Sequence, residues 1–174
     1  MAEVTFHGEQ VRLVGSPPVV GEPVPAFSLV GGRAVDPHVI NTEWMLERGT
    51  PTLFSVVTSV DTPVGSLQAK VFQKRLSDSV FRDRGTGVLV STDLPFTLTR
   101  FCRAEDIDDF AGGSDYRERR FGRDWGILME EHDLLTRAVF VVDRAGVLRY
   151  SEIVAEITSE PDYASALTAL FDLV

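Results

Sequence analysis

Thr52-Leu53-Phe54-Ser55-Val56-Val57 and Gly87-Val88-Leu89-Val90-Ser91 are two short apolar runs that bracket a segment in which Val64, Leu67, Val71 and Leu76 fall near helical spacing. Apolar runs of this length, rich in β-branched residues, suit strands covered on both faces of a sheet. Lys70, Lys74 and Arg75 lie on the outward side of the intervening helix. Strand, helix, strand predicts a β-α-β unit, a parallel pair and therefore an α/β fold.

Outward from this unit, Val4-Thr5-Phe6 and Val11-Arg12-Leu13-Val14 flank His7-Gly8-Glu9-Gln10 as an N-terminal β-hairpin. The Pro-rich stretch from Ser16 to Pro25 is an extended connector, because proline lacks an amide donor and constrains its predecessor. It leads to a short strand, Phe27 to Val30, and then to a helix over Thr42 to Arg48 with Asn41 as N-cap and Gly49 as stop. Phe96 to Ala104 reads as a further helix and Glu105 to Asp109 as an acidic loop. Ala138 to Val142 and Val147 to Val154, joined by Asp143-Arg144-Ala145-Gly146, read as an antiparallel hairpin in the same sheet. Ser159 is the expected cap of the last helix, with Pro161 in its first turn and Asp162 at the capping-box position, and Leu167, Leu170, Phe171 and Val174 form its apolar stripe. Gly31-Gly32 and Gly112-Gly113 fit no phosphate-loop pattern and read as turns.

The 174 residues fit one domain, 1–174, and carry 17 Lys and Arg against 26 Asp and Glu, a net charge of −9. Nucleic acid and anionic membrane surfaces are excluded as main partners, since gripping phosphate draws on an excess of cations. The opening Met1-Ala2-Glu3-Val4-Thr5-Phe6-His7 has no secretory pattern, and no run approaches the about 18 apolar residues of a membrane span, so a cytoplasmic protein is expected. The single cysteine, Cys102, forbids an intramolecular disulfide and any multi-cysteine metal site. His7, His38 and His132 lack the spacing of metal pairs and read as surface residues, so neither metal nor cofactor is expected. Arg117, Arg119, Arg120 and Arg123, interleaved with Asp115, Glu118 and Asp124 and accompanied by Tyr116, Phe121 and Trp125, read as a solvated helix face or part of a partner surface.

Ser59-Val60-Asp61-Thr62-Pro63-Val64-Gly65 lies where the first long strand hands over to its helix, a place that gathers free amides and positive helix dipole. This stretch resembles the active-site loop of bacterial thiol peroxidases, a branch of the peroxiredoxins. Asp93-Leu94-Pro95-Phe96 with Arg100-Phe101-Cys102 and Ala104-Glu105 resembles the family's resolving-cysteine segment, and Thr136-Arg137-Ala138-Val139 resembles the strand that carries its arginine. Glu156-Ile157-Thr158 with Glu160-Pro161-Asp162-Tyr163 and Ala166-Leu167 resembles its terminal segment. The resemblance spans nearly the whole chain. It implies a thioredoxin-like fold, with a central mixed β-sheet flanked by helices and an N-terminal β-hairpin. It also implies a homodimer, with thioredoxin or an active homologue as a further partner.

Carried over residue by residue, the resemblance makes Thr62 the hydrogen-bonding partner of the reacting oxygens, Arg137 the group that polarises peroxide and stabilises thiolate, and Cys102 the resolving cysteine. Two positions depart from the pattern. Gly65 stands where the family places its peroxidatic cysteine, and Thr58 where the loop usually carries proline. A glycine has no sulfur to oxidise, so the ordinary cycle through sulfenic acid is absent. The implied role is a thiol-peroxidase-like protein that keeps a binding or scaffold function; the alternative is a one-cysteine peroxidase centred on Cys102, its thiol activated by Arg100 and Arg103. Each residue also has a plainer reading: Cys102 as a small, partly buried hydrophobe, Arg137 paired with a carboxylate at a sheet edge, Thr62 as a helix cap, and Asp61 as a solvated or capping carboxylate.

Overall fold

The computed structural model describes residues 2–33, 36–77 and 81–174. In chain order the elements are β1 (Val4–Phe6), β2 (Glu9–Val11), β3 (Leu13–Val14), β4 (Ser28–Arg33), β5 (Asp36–Asn41), α1 (Thr42–Glu47), β6 (Thr52–Val56) and α2 (Pro63–Leu76). They continue with β7 (Thr86–Ser91), α3 (Pro95–Ala104), β8 (Phe110–Ser114), α4 (Arg120–Asp124), β9 (Leu128–Met129), β10 (Ala138–Val142), β11 (Leu148–Ile153) and α5 (Tyr163–Phe171). A mixed sheet of seven strands runs β11-β10-β6-β7-β8-β4-β5. The β-α-β unit read from the sequence is present: β6 and β7 are parallel, with Phe54 beside Val88, and β8 continues the parallel set. β10 runs antiparallel to β6 and pairs with β11 as the expected hairpin.

Both faces of the central strands are buried, which is why these runs carry no polar alternation. On one face Phe54, Val56, Val88, Val90, Phe140 and Met45 of α1 surround Phe121 and Trp125. On the other, Leu53, Val57, Leu89, Val139 and Val141 pack against Phe72 of α2, Leu98 of α3 and Leu167 and Leu170 of α5. Among the described residues no helix is long and apolar enough to cross a membrane.

The structure corrects several local readings. In α2 the inward face is Gly65, Gln68, Ala69, Phe72 and Leu76, and Leu67 is 43% exposed, so of the expected Val64, Leu67, Val71 and Leu76 only Leu76 is on the buried face and the stripe is rotated. The buried Gln68 hid that face from a reading that counts apolar residues. Gly31 lies within β4, and Gly112 and Gly113 within β8, rather than in turns. A Cβ on Gly113 would lie 2.8 Å from Leu29 Cδ1, and one on Gly112 would lie 3.2 Å from Leu98 Cβ, so these glycines mark close packing against the sheet.

The basic island is only partly solvated, because Phe121 is 1% exposed and Trp125 0%. The N-terminal hairpin pairs Val4 with Val11 and turns at His7-Gly8, both at positive φ, while Leu13-Val14 leaves it to join β9. α5 is capped by Asp162, whose carboxylate accepts from Ser165 N at 3.0 Å; Ser159 instead closes a turn onto Glu156 O. Glu156 clamps the hairpin to the segment after β11. It accepts from Thr5 Oγ1 at 2.7 Å, from His7 N and Gly8 N at 3.1 Å, and from Thr158 Oγ1 at 2.8 Å. The hydroxyls of Thr5 and Thr158 hold its carboxyl down at about 2.

Candidate active site

The C-terminal ends of β6, β7 and β8 meet the first turn of α2, the edge at which an open α/β sheet builds its sites. Thr62 is the N-cap of α2: its Oγ1 accepts from Gly65 N at 3.1 Å and donates to Ser59 O at 2.7 Å. Proline at the first helical position loses no bond, since that amide has no partner within the helix. Gly65 is buried in the first turn. Ahead of the cap, Thr58 is 8% exposed and its hydroxyl makes no hydrogen bond among the described residues.

Asp93, two residues past the end of β7, fixes this loop. It accepts from Ser59 Oγ at 2.8 Å, from Val60 N at 2.9 Å and from Ser91 Oγ at 2.7 Å. Its backbone carbonyl accepts in turn from Ser114 Oγ at the end of β8. Asp61 N donates to Ser59 Oγ at 3.1 Å, whereas its side chain lies outside the network and reaches Arg100 at 3.5 Å with both side chains about two-thirds exposed (66% and 67%), a pair that adds little to stability.

Arg137 precedes β10 and is 2% exposed. Its Nε donates to Ile157 O at 2.9 Å and its Nη1 to Gln68 Oε1 at 2.9 Å, while Gln68 Nε2 donates to Ser55 Oγ at 2.9 Å. Gln68 stands one helical turn beyond Gly65, so the carboxamide ties the guanidinium to the same face of α2 that carries the loop. β10 lies inside the sheet between β11 and β6, and among the described residues no carboxylate comes within ion-pair distance of Arg137. The reading of Arg137 as paired with a carboxylate at a sheet edge is therefore corrected. Burial lowers the guanidinium's pKa, opposed by the nearby Tyr163 and Glu160, and the group stays charged.

Cys102 is set apart from these groups. It lines a cavity of about 370 Å³ with His38, Leu98, Arg103, Asp108 and Phe110; Thr62, Gly65 and Arg137 do not line it. Burial, and then the charge of Asp108, pushes the thiol up to about 11. Activation by Arg100 and Arg103 is thus the reverse of what the thiol experiences. Iodoacetamide at pH 7 is expected to alkylate Cys102 about 100-fold more slowly than an unhindered thiol, with a rate still rising past pH ~9 because only the thiolate reacts. A pH-rate profile that levels near the ordinary thiol value of about 8.5 would refute this.

The structure thus joins Thr62, Gly65 and, through Gln68, Arg137, and separates Cys102 from them. Sequence reasoning missed Gln68 and Asp93 as parts of the site. A polar residue on the inward face of a helix, three positions from Gly65, was the available signal for the first; Asp93 became visible only when its partners came together.

A family model described as Redoxin matches residues 19–167. The thiol peroxidase of Mycobacterium tuberculosis is 39% identical over 173 residues, covering 98% of this chain and 99% of that protein. The peroxiredoxin-like protein from Aquifex aeolicus superposes with a TM-score of 0.86 at 28% identity, covering 100% of this chain and 98% of that one. The thiol peroxidase from Chromobacterium violaceum, at 24% identity and a TM-score of 0.85, covers 98% of this chain and 96% of its own and shares the fold.

Proposed function

The chain belongs to the redoxin family and within it to the thiol peroxidases, and from that premise we propose that it is a thiol-peroxidase-like protein without hydroperoxide turnover, keeping a binding or scaffold role. One observation supports the reading: Gly65 is buried in the first turn of α2 beside its Thr62 cap, the position that the resemblance of the loop assigns to the reacting sulfur. In that reaction a thiolate attacks one peroxide oxygen, an S–O bond forms as the O–O bond breaks, the sulfur becomes sulfenic acid on the protein, and the other oxygen leaves as hydroxide or alkoxide. Glycine supplies no electron pair for the first step. Cys102 does not replace it, because its thiol stays protonated in a cavity that neither Thr62 nor Arg137 lines.

What remains is a capped first turn of α2 and a buried Arg137, both held by bonds within the fold, which suits a folded scaffold. As a scaffold the chain pairs with a second copy, with an active homologue or thioredoxin as the other candidates. Leu94 and Phe96, 49% and 60% exposed at the start of α3, are the apolar surface we assign to the contact. The test is steady-state consumption of hydrogen peroxide and an organic hydroperoxide with a dithiol reductant. Consumption indistinguishable from a protein-free blank is expected, and Cys102→Ser changes nothing. Turnover that disappears in Cys102→Ser would overturn the proposal and establish the one-cysteine enzyme.

A further inference from the structure

The space beside Gly65 is filled by backbone, and we infer that the loop of residues 58–62 has closed over this position and is locked there by Asp93. The functional meaning rests on the reading of Gly65 as the peroxidatic position; the closure itself does not. A Cβ built on Gly65 would lie 2.1 Å from Ser59 O, 2.6 Å from Thr62 Oγ1 and 3.2 Å from Ser59 C. The nearest obstacle is a main-chain carbonyl, which cannot swing aside as a side-chain tip does. Gly65 is not at positive φ, so the position requires glycine for the missing side chain and not for backbone freedom.

The obstructing carbonyl is held from two sides. Ser59 O accepts from Thr62 Oγ1 at 2.7 Å and from Thr62 N at 3.2 Å, which closes the turn that caps α2. The same residue's hydroxyl donates to Asp93 Oδ1 at 2.8 Å, and Val60 N donates to Asp93 Oδ2 at 2.9 Å. Asp93 is fixed in turn by Ser91 Oγ at 2.7 Å and by its own N–H on Ser91 Oγ at 3.1 Å. Any side chain at 65 must therefore displace the Ser59 carbonyl from its bonds to Thr62 and strain the bond from the Ser59 hydroxyl to Asp93. The centre is a loop refitted to glycine, and not an intact cradle awaiting one sulfur atom. Asp93 acts as a positioning residue through Ser59 and Val60.

The sign of one melting-temperature shift decides. In an open helical position, alanine is favoured over glycine and Gly65→Ala raises the melting temperature. With the position closed, Gly65→Ala lowers it by about 3–10 °C. In an Asp93→Ala background, where both oxygens that hold Ser59 and Val60 are gone and the loop is released, the same substitution costs less than half as many degrees, because the two sites are coupled. If Asp93→Ala is too unstable to melt, Ser59→Ala, which removes the hydroxyl's bond to Asp93 and its acceptance from Asp61 N at 3.1 Å, takes its place. A rise or no change in Gly65→Ala overturns the closure, and equal drops in both backgrounds overturn the role of Asp93. Peroxide turnover by the parent would defeat the proposed function without moving these temperatures, so the two failures are told apart.

Discussion

Gln68→Ala lowers the free energy of unfolding by about 3 kcal/mol and the melting temperature by about 6–12 °C. The residue is 0% exposed, and its carboxamide is the only side chain among the described residues that hydrogen-bonds the Arg137 guanidinium. Truncation removes that acceptor, leaves the Ser55 hydroxyl without its donor at 2.9 Å and opens a cavity against β6. A buried cation deprived of a partner is the largest part of the loss. The mechanism is separable from lost volume. Gln68→Met keeps the bulk and loses the bonds, whereas Gln68→Met with Arg137→Met removes the cation too and recovers stability relative to the single change. Urea unfolding of the four proteins measures this, and a Gln68→Ala variant within about 0.5 kcal/mol of the parent would show that the guanidinium does not depend on the carboxamide.

Trp125→Ala is expected to lose about 3–5 kcal/mol. The indole is 0% exposed and stacks on Phe121 at 4.5 Å, with Phe54 and Phe140 each at 5.1 Å and Phe27 at 6.0 Å. Such contacts add about 0.5–1.5 kcal/mol per pair beyond area burial, and the side chains around a vacated indole cannot all close in. Trp125→Phe retains most of the cluster and forgoes only an indole N–H that makes no hydrogen bond among the described residues, so it loses far less than the alanine variant. Denaturant unfolding followed by far-ultraviolet dichroism reads both. A Trp125→Ala loss below about 1 kcal/mol, the range of a surface site, would return this residue to the solvated face the sequence suggested.

The β6-α2-β7 unit was legible because strands covered on both faces carry their burial openly in the sequence. β5 and β8 were not, since Pro37 and Gly112-Gly113 are turn residues by local preference; Pro37 is a strand residue through its pairing with β4, and Gly112 and Gly113 sit in close contact with Leu98 and Leu29. Trp125 was misread because four arginines nearby dominate the local charge, while its burial is decided by phenylalanines from β6, β10 and the segment ahead of β4. At the candidate site, Thr62 was legible as a cap and Arg137 through family resemblance. The roles of Gln68 and Asp93 depend on partners from other elements: Arg137 and Ser55 for one, Ser59 and Val60 for the other.

The clamp made by Glu156 ties the beginning of the polypeptide to its last portion. Thr5 N donates to Ala155 O at 2.7 Å, Ile157 N donates back to Thr5 O at 2.9 Å, and Val4 and Val11 complete their small core with Ile157. The Thr5–Ala155 contact spans 150 residues of chain, so the apolar side of the hairpin stays uncovered until that distant segment folds against it. Closing so long a loop costs entropy that no nearby contact repays early, which makes docking of the hairpin a late step in folding.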